Sequence, residues 1–247
     1  MKRAGLVPWL LLALSCLPSA ALAQALPDLA VARIGDQEVS ISLQVLLVMT
    51  FITLAPSVLL GMTAFTRIII VLALLRQALG TGQTPTNQIL LGLALFLTFL
   101  VMMPVLDASW QAGIAPYLDG SLPPREALEA ALAPIRGFMF AQVRERDLLT
   151  FAQLAGSTGY ASPDEVPLHV LASAFLTSEL RTAFEIGFLL FIPFVIIDLV
   201  VASVLMSLGM MMMSPMLVSA PFKILLFVLV DGWVLVVGSL AGSFALP

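Results

Sequence analysis

The chain has 247 residues, of which 60% are hydrophobic and 11% charged, with a mean hydropathy of +1.08 and a formal net charge of −4. Soluble domains carry about 25% charged residues because they need a solvated surface, so this composition excludes an ordinary water-exposed globule and indicates an integral membrane protein. The acidic balance without a basic stripe excludes nucleic-acid binding, and a single cysteine, Cys16, with a single histidine, His169, excludes a disulfide framework and a Cys- or His-based metal site.

Residues 1–23 have the pattern of a cleavable signal peptide. Lys2 and Arg3 form a basic start, residues 10–17 an apolar core too short to span a bilayer, and Ala21-Leu22-Ala23 an A-x-A motif. Cleavage is expected between Ala23 and Gln24, which leaves a short extracytoplasmic lead over residues 24–44 and puts the new N-terminus outside the cytoplasm.

Residues 45–106 should supply the N-terminal apolar helices. The first apolar run, 45–75, would measure about 46 Å as one straight helix against a hydrocarbon core of about 30 Å. Pro56, Gly61 and Arg67 interrupt it, so a broken or kinked helix, or a tight hairpin, is expected. A second apolar run, 89–106, follows the loop G-T-G-Q-T-P-T-N, which would be cytoplasmic beside Arg76.

Residues 107–181 hold five arginines and nine acids and read as a solvated, extracytoplasmic helical segment. Pro123-Pro124 should open an amphipathic helix along which Leu128, Leu132, Ile135, Met139 and Val143 recur at helical spacing, with Pro134 and Gly137 expected to kink or split it. Ser162-Pro163-Asp164-Glu165 has the form of a capping box, so a second helix is expected to start there, with Pro167 leaving its first turn irregular.

Residues 182–247 should form a C-terminal helical hairpin. Its apolar legs, 186–208 and 216–240, flank the uncharged loop G-M-M-M-M-S-P at 209–215, and six of the twelve methionines fall between Met206 and Met216. Four methionines in a row cannot share one helix face. They suit a loop whose whole perimeter meets apolar surface, and a ring of such loops would form a soft, dewetted pore gate from Met210, Met211, Met212 and Met213.

Charges at a membrane-helix centre cost on the order of 2.5–3.5 kcal/mol each, and the hairpin carries Asp198, Lys223 and Asp231. A turn centred near Met212 brings Lys223 within about 4.5 Å of Asp198 in depth. Asp231 lies two turns beyond on nearly the same face, with no cation obvious in the chain. Such charges serve either a proton relay or the plainer task of fixing register and assembly. Glu179, Arg181 and Glu185 cluster at the membrane edge, where Arg181 and Glu185 are spaced to pair and interfacial anchoring is the plain reading. No H-E-x-x-H, G-x-S-x-G or P-loop motif is present, so neither an enzyme nor a cofactor is implied. The competing function is a proton-coupled transporter using Asp198 and Asp231.

Four stretches together carry a resemblance: T-R-I-I-I-V-L-A-L-L-R-Q-A-L-G-T (66–81), N-Q-I-L-L-G-L-A-L-F-L-T (87–98), F-L-T-S-E-L-R-T-A-F-E-I-G-F (175–188) and P-F-K-I-L-L-F-V-L-V-D-G-W (221–233). The chain resembles the FliP family, the P subunits of the flagellar type III secretion export gate. The resemblance implies an all-α, multi-pass, pore-forming fold in the inner membrane, within the flagellar basal body. It implies five copies assembled with FliQ and FliR into a conical channel for unfolded flagellar export substrates, alongside the export-apparatus proteins FlhA and FlhB. Much of that cone stands above the bilayer, which would account for the overlong first run and the internal prolines. The family's methionine gasket would map onto Met210, Met211, Met212 and Met213, four where three is the commoner number. Glu179, Asp198 and Lys223 match charged positions characteristic of the family, and the signal peptide favours the flagellar branch over virulence-system relatives.

Overall fold

The computed structural model describes residues 41–210 and 213–244, and these are helical, with no strand among them. The signal peptide, its cleavage site at Ala23 and Gln24, the lead to residue 40, and Met211 and Met212 lie outside the described residues. Contacts divide the chain into two units, Met1–Ala55 and Pro56–Pro247. The described part of the first unit is helical, and there Thr50 and Thr53 turn their hydroxyls back onto the carbonyls of Leu46 and Met49, each at 2.8 Å. That back-bonding hides both hydroxyls in an apolar sequence.

The first apolar run is broken, as its length demands. Helix α1 (Ile41–Gly61) stops at Gly61 and α2 begins at Phe65, running to Leu79. The break falls at residues 62–64, where the Thr63 hydroxyl donates to the Leu60 carbonyl at 2.9 Å and accepts from the Phe65 N–H at 3.4 Å. Pro56 and Arg67 both sit inside helices and do not interrupt the run.

Within the second unit α2 is central. Its Ile68, Val71, Leu72 and Leu75 are buried between α3 (Asn87–Ser109) and the long α7 (Leu168–Ser207). Gly187 of α7 permits the closest approach, since a Cβ there would lie 2.2 Å from Leu74 Cδ1. Helix α3 continues through a π-turn (Trp110–Ile114) into the short α4 (Ala115–Leu118). Among the described residues two helical stretches, Asn87–Leu118 and Leu168–Ser207, are long and apolar enough to cross a membrane, and up to four spans result if each bent helix pair counts as one. The 40 residues of α7 run unbroken through Pro193 for about 60 Å, twice the hydrocarbon thickness, so part of α7 must extend past it.

The amphipathic segment departs from the sequence pattern in three ways. Helix α5 (Pro124–Gln142) passes through Pro134 and Gly137 without a split, and the chain breaks instead at Val143 and Arg144, before α6 (Glu145–Leu154). The break is fixed from α7: the Arg144 N–H donates to Ser178 Oγ at 3.1 Å, and that hydroxyl donates to Asp147 Oδ2 at 2.6 Å, which holds the first turn of α6. The buried face of α5 follows the expected stripe at Met139 and, half-buried, at Leu132, Ile135 and Val143, and departs from it only at its start. Leu128 is exposed and Ala127 is buried, because α5 packs on Gly113 of the π-turn so closely that a Cβ there would lie 2.3 Å from the Ala127 carbonyl oxygen. Only small residues fit that contact, so at this end of α5 Ala127 and not Leu128 faces inward, while Phe138 and Met139 fill the core farther along.

Third, the expected capping box at Ser162 starts only a 3₁₀ turn, Pro163–Glu165. Its glutamate accepts from the Ala161 N–H at 3.1 Å, and the Ser162 side chain makes no cap bond. Pro167 pushes Val166 into an extended conformation (φ −69°, ψ 120°), so α7 starts one residue after the proline. Arg136 of α5 fastens this connection by donating to the Pro163 and Val166 carbonyls at 3.1 and 3.0 Å.

The last apolar region is two helices, α8 (Pro215–Leu229) and α9 (Gly232–Gly242), bent by 66° at Val230 and Asp231. Asp231 adopts a left-handed backbone, φ 51° and ψ 45°, a conformation that aspartate tolerates better than most residues. Gly232 follows because a Cβ there would stand 2.3 Å from the Phe227 ring.

Candidate functional site

The hairpin tip is built by a glycine. Gly209 takes φ 75° at the end of α7, its N–H donating to the Met206 carbonyl at 3.0 Å while the Met210 N–H reaches the Leu205 carbonyl at 3.0 Å. This is a Schellman closure, which satisfies the Leu205 and Met206 carbonyls of α7 from the backbone, while the Ser207 hydroxyl donates to the Val204 carbonyl at 2.7 Å. On the far side Ser214 precedes Pro215 at the first position of α8, where a missing N–H costs nothing. Met210 and Met213 are 42% and 45% exposed, and Met206, Leu208, Met216 and Leu217 beside them are exposed too. The tip is therefore an apolar knob on a pair of apolar legs.

Inward from the tip the legs are pinned by charge. Lys223 Nζ of α8 donates to Asp198 Oδ2 of α7 at 2.6 Å and to the Ala78 carbonyl of α2 at 3.2 Å. The Ser219 hydroxyl donates to Asp198 Oδ1. One ammonium thus joins three helices, and it sits at the C-terminal end of α2, where the helix dipole favours a cation. Lys223 is buried and Asp198 is one-third exposed. Between this pin and the tip the legs border an open apolar groove of about 470 Å³, lined by Val204 and Leu205 on one side and Val218 and Phe222 on the other.

The second charged centre was not visible as a site in the sequence, where Arg67 is a single interruption in an apolar run. Arg67 Nε of α2 donates to Glu179 Oε2 of α7 at 2.9 Å, and Nη2 donates to Glu179 Oε1, a bidentate pair that is fully enclosed. Nη2 also reaches Gln142 Oε1 at 3.1 Å, and Nη1 reaches the Ser243 carbonyl and hydroxyl at 2.9 and 3.0 Å. Phe244 lies under the guanidinium, 4.0 Å from ring centroid to Cζ, and stacks on Phe138 at 6.2 Å. Arg67 therefore gathers α2, α5, α7 and the segment after α9 around one planar cation, a task suited to its forked donors.

Glu179, Arg181 and Glu185 do not form one cluster. Glu179 faces inward to Arg67, whereas Arg181 and Glu185 lie on the surface of α7, 3.1 Å apart. Arg144 joins the outer pair with 2.6 Å and 3.1 Å bonds to Glu185 and a 3.3 Å bond to Thr182. The Glu185 carboxylate holds the Arg144 guanidinium above the usual arginine range. Asp231 stands apart from the Asp198–Lys223 pair, exposed at the α8–α9 bend, and its side chain makes no cap bond to α9. The bend removes it from the face of Lys223 that a straight helix would have given it. No cluster of three or more histidine, cysteine, aspartate or glutamate side chains is placed to hold a metal among the described residues.

Comparison with known proteins gives this architecture its relatives. A model of the FliP family matches residues 48–240. The flagellar biosynthetic protein FliP of Cereibacter sphaeroides is 60% identical over 210 residues, covering 85% of this chain and 70% of its own. The FliP of Caulobacter vibrioides is 48% identical over 246 residues, covering 99% of this chain and 92% of its own. That of Bacillus subtilis is 49% identical over 208 residues, covering 84% and 94%. With a family match across most of its length and relatives that it covers almost end to end, the chain belongs to the FliP family.

Proposed function

We propose that this chain is a channel subunit of the flagellar protein export gate, a conduit for unfolded flagellar proteins that is sealed by its methionine loop and is not an enzyme. The observation that carries the reading is the hairpin tip: an uncharged methionine loop, entered through a backbone closure at Gly209, on legs pinned by the half-buried Lys223–Asp198 pair. A loop facing water on all sides would gain from charge, whereas one facing copies of itself would not. Family membership supports the flagellar setting, and the long apolar helices support an inner-membrane location in the basal body.

In this reading about five copies surround one axis, with FliQ and FliR completing the channel and FlhA and FlhB beside it. The tips converge, so that Met210, Met211, Met212 and Met213 form a ring that yields to a passing chain and closes behind it. The mature N-terminus and residues 107–181 face the extracytoplasmic side. Asp198 acts as a fastening and not as a relay, because Lys223 and Ser219 already occupy both of its oxygens.

Deleting the four methionines in cells that make the whole gate tests the seal. Membrane conductance should rise while the assembled gate is still recovered. Unchanged conductance with secretion intact would reject it.

A further inference from the structure

We propose that the surface around Asp231 docks an apolar helix of a different polypeptide carrying a single lysine or arginine, for which Asp231 is the counter-charge. From the start of α7 onward every other carboxylate holds a cation in hydrogen-bond contact: Glu179 holds Arg67, Glu185 holds Arg144 and Arg181, and Asp198 holds Lys223. Among the described residues no cation reaches Asp231. Its neighbours Val228, Leu229, Val234 and Leu235 are all exposed, so the carboxylate stands alone within an apolar collar. A bare charge in such a setting is unfavourable until it is paired, and an apolar rim that excludes water around one polar anchor is the pattern of an interface centre.

The backbone that carries the carboxylate is also held in place. Trp233 meets the Phe227 ring edge-on at 5.4 Å, Gly232 is pressed on the same ring, and the left-handed backbone of Asp231 is fixed between them. Beside it opens a cavity of about 130 Å³, floored by Phe227 and Trp233, which is room for the end of one long side chain.

The described residues of a second copy offer no free cation on an apolar face. Among the described residues Arg67 and Lys223 are buried in their own pairs, and Arg125, Arg144 and Arg181 hold carboxylates. Arg76 and Arg136 are bonded to carbonyls. Arg146 lies between Glu145 and Asp147 on α6, not on an apolar face. With no free cation among the described residues of a second copy, the partner we propose is a chain of other sequence, apolar where it touches and singly basic.

The inference rests on the chain being a subunit of a membrane assembly, though not on the methionine seal. The test places a photo-crosslinking amino acid at Val228, and separately at Val234, in the full chain expressed with its native export apparatus, and maps the adducts by mass spectrometry. The expected adduct lies on another polypeptide, in an apolar segment, within one helical turn of a lysine or arginine. Asp231→Asn keeps a side chain that tolerates the left-handed backbone and should lower the yield at least five-fold, with the melting temperature of the extracted subunit unchanged. Asp231→Lys combined with aspartate at the partner's basic position should restore it. Adducts on a second copy, on lipid or on a segment without a cation would overturn the proposal, as would undiminished yield in Asp231→Asn. A wild-type chain that migrates alone with no adducts would instead reject the assembly reading itself.

Discussion

Arg67 and Glu179, 112 residues apart in sequence, meet as an enclosed bidentate pair in which Arg67 also binds the chain end at Ser243. Removing one partner leaves a buried charge uncompensated, which costs about 3–5 kcal/mol, whereas replacing both with apolar residues of similar size is far milder. Glu179→Leu or Arg67→Met alone should therefore sharply lower the melting temperature of the purified subunit. The double variant should recover most of the loss. A double variant no better than the singles would mean that Gln142 and Ser243, not Glu179, hold the arginine.

The Asp198–Lys223 pair should respond unequally to its two deletions. Asp198→Ala leaves a buried ammonium with one carbonyl, while Lys223→Met leaves a partly exposed carboxylate that keeps Ser219. The aspartate deletion should be worse by about 1–3 kcal/mol, the cost of one buried group left without its partner. Denaturation of each variant in the same detergent measures the difference, and equal losses would contradict the burial asymmetry.

Two glycines should rank in a fixed order. Alanine at Gly113 would meet the Ala127 backbone oxygen at 2.3 Å, whereas alanine at Gly187 meets chiefly the mobile end of Leu74 at 2.2 Å. Overpacking costs about 1–3 kcal/mol, and Gly113→Ala should fall at or above the top of that range because backbone has to move. Gly187→Ala should fall near the bottom. Thermal scans of the two variants decide the order.

Ser178 is small, buried and bonded in both directions, to the Arg144 N–H and to Asp147. Ser178→Ala should loosen the first turn of α6 by about 1 kcal/mol, the usual loss for a missing cap. Hydrogen exchange at residues 144–148 should accelerate while exchange in α7 stays slow.

Gly209→Ala places a Cβ on a backbone at φ 75° and should cost about 1–2 kcal/mol, the penalty of the left-handed region for other residues. The expected phenotype is increased conductance with normal subunit levels, since the strain falls on the tip and not on the pinned legs.

What the sequence made legible was whatever depends on local arithmetic. Counting from Met212 brings Lys223 to the depth of Asp198, and the two do pair. The excessive length of the first apolar run requires a break, and α1 and α2 provide one. Arg67–Glu179 was not legible, because nothing local relates two positions brought together only by packing of α2 on α7. Leu128 misled for a related reason: the stripe holds at Ile135, Met139 and Val143, but where α5 seats on Gly113 the close contact turns Ala127 inward in its place. At Ser162 the box motif competes with Pro167, and the proline's effect on Val166 prevails. The bend at Asp231 comes from a ring pressed on Gly232, a contact that no spacing rule anticipates, and it separates two acids that a straight helix would align.

The Asp198–Lys223 pin lies eleven residues in from Gly209, about 16 Å along the helix, with an apolar hollow between. The hairpin is thus a cantilever clamped well behind its free end. Forces on the methionines bend the overhang, and the clamp carries the reaction through the Lys223–Asp198 bond. Substitutions at the tip should accordingly change compliance without changing the fold.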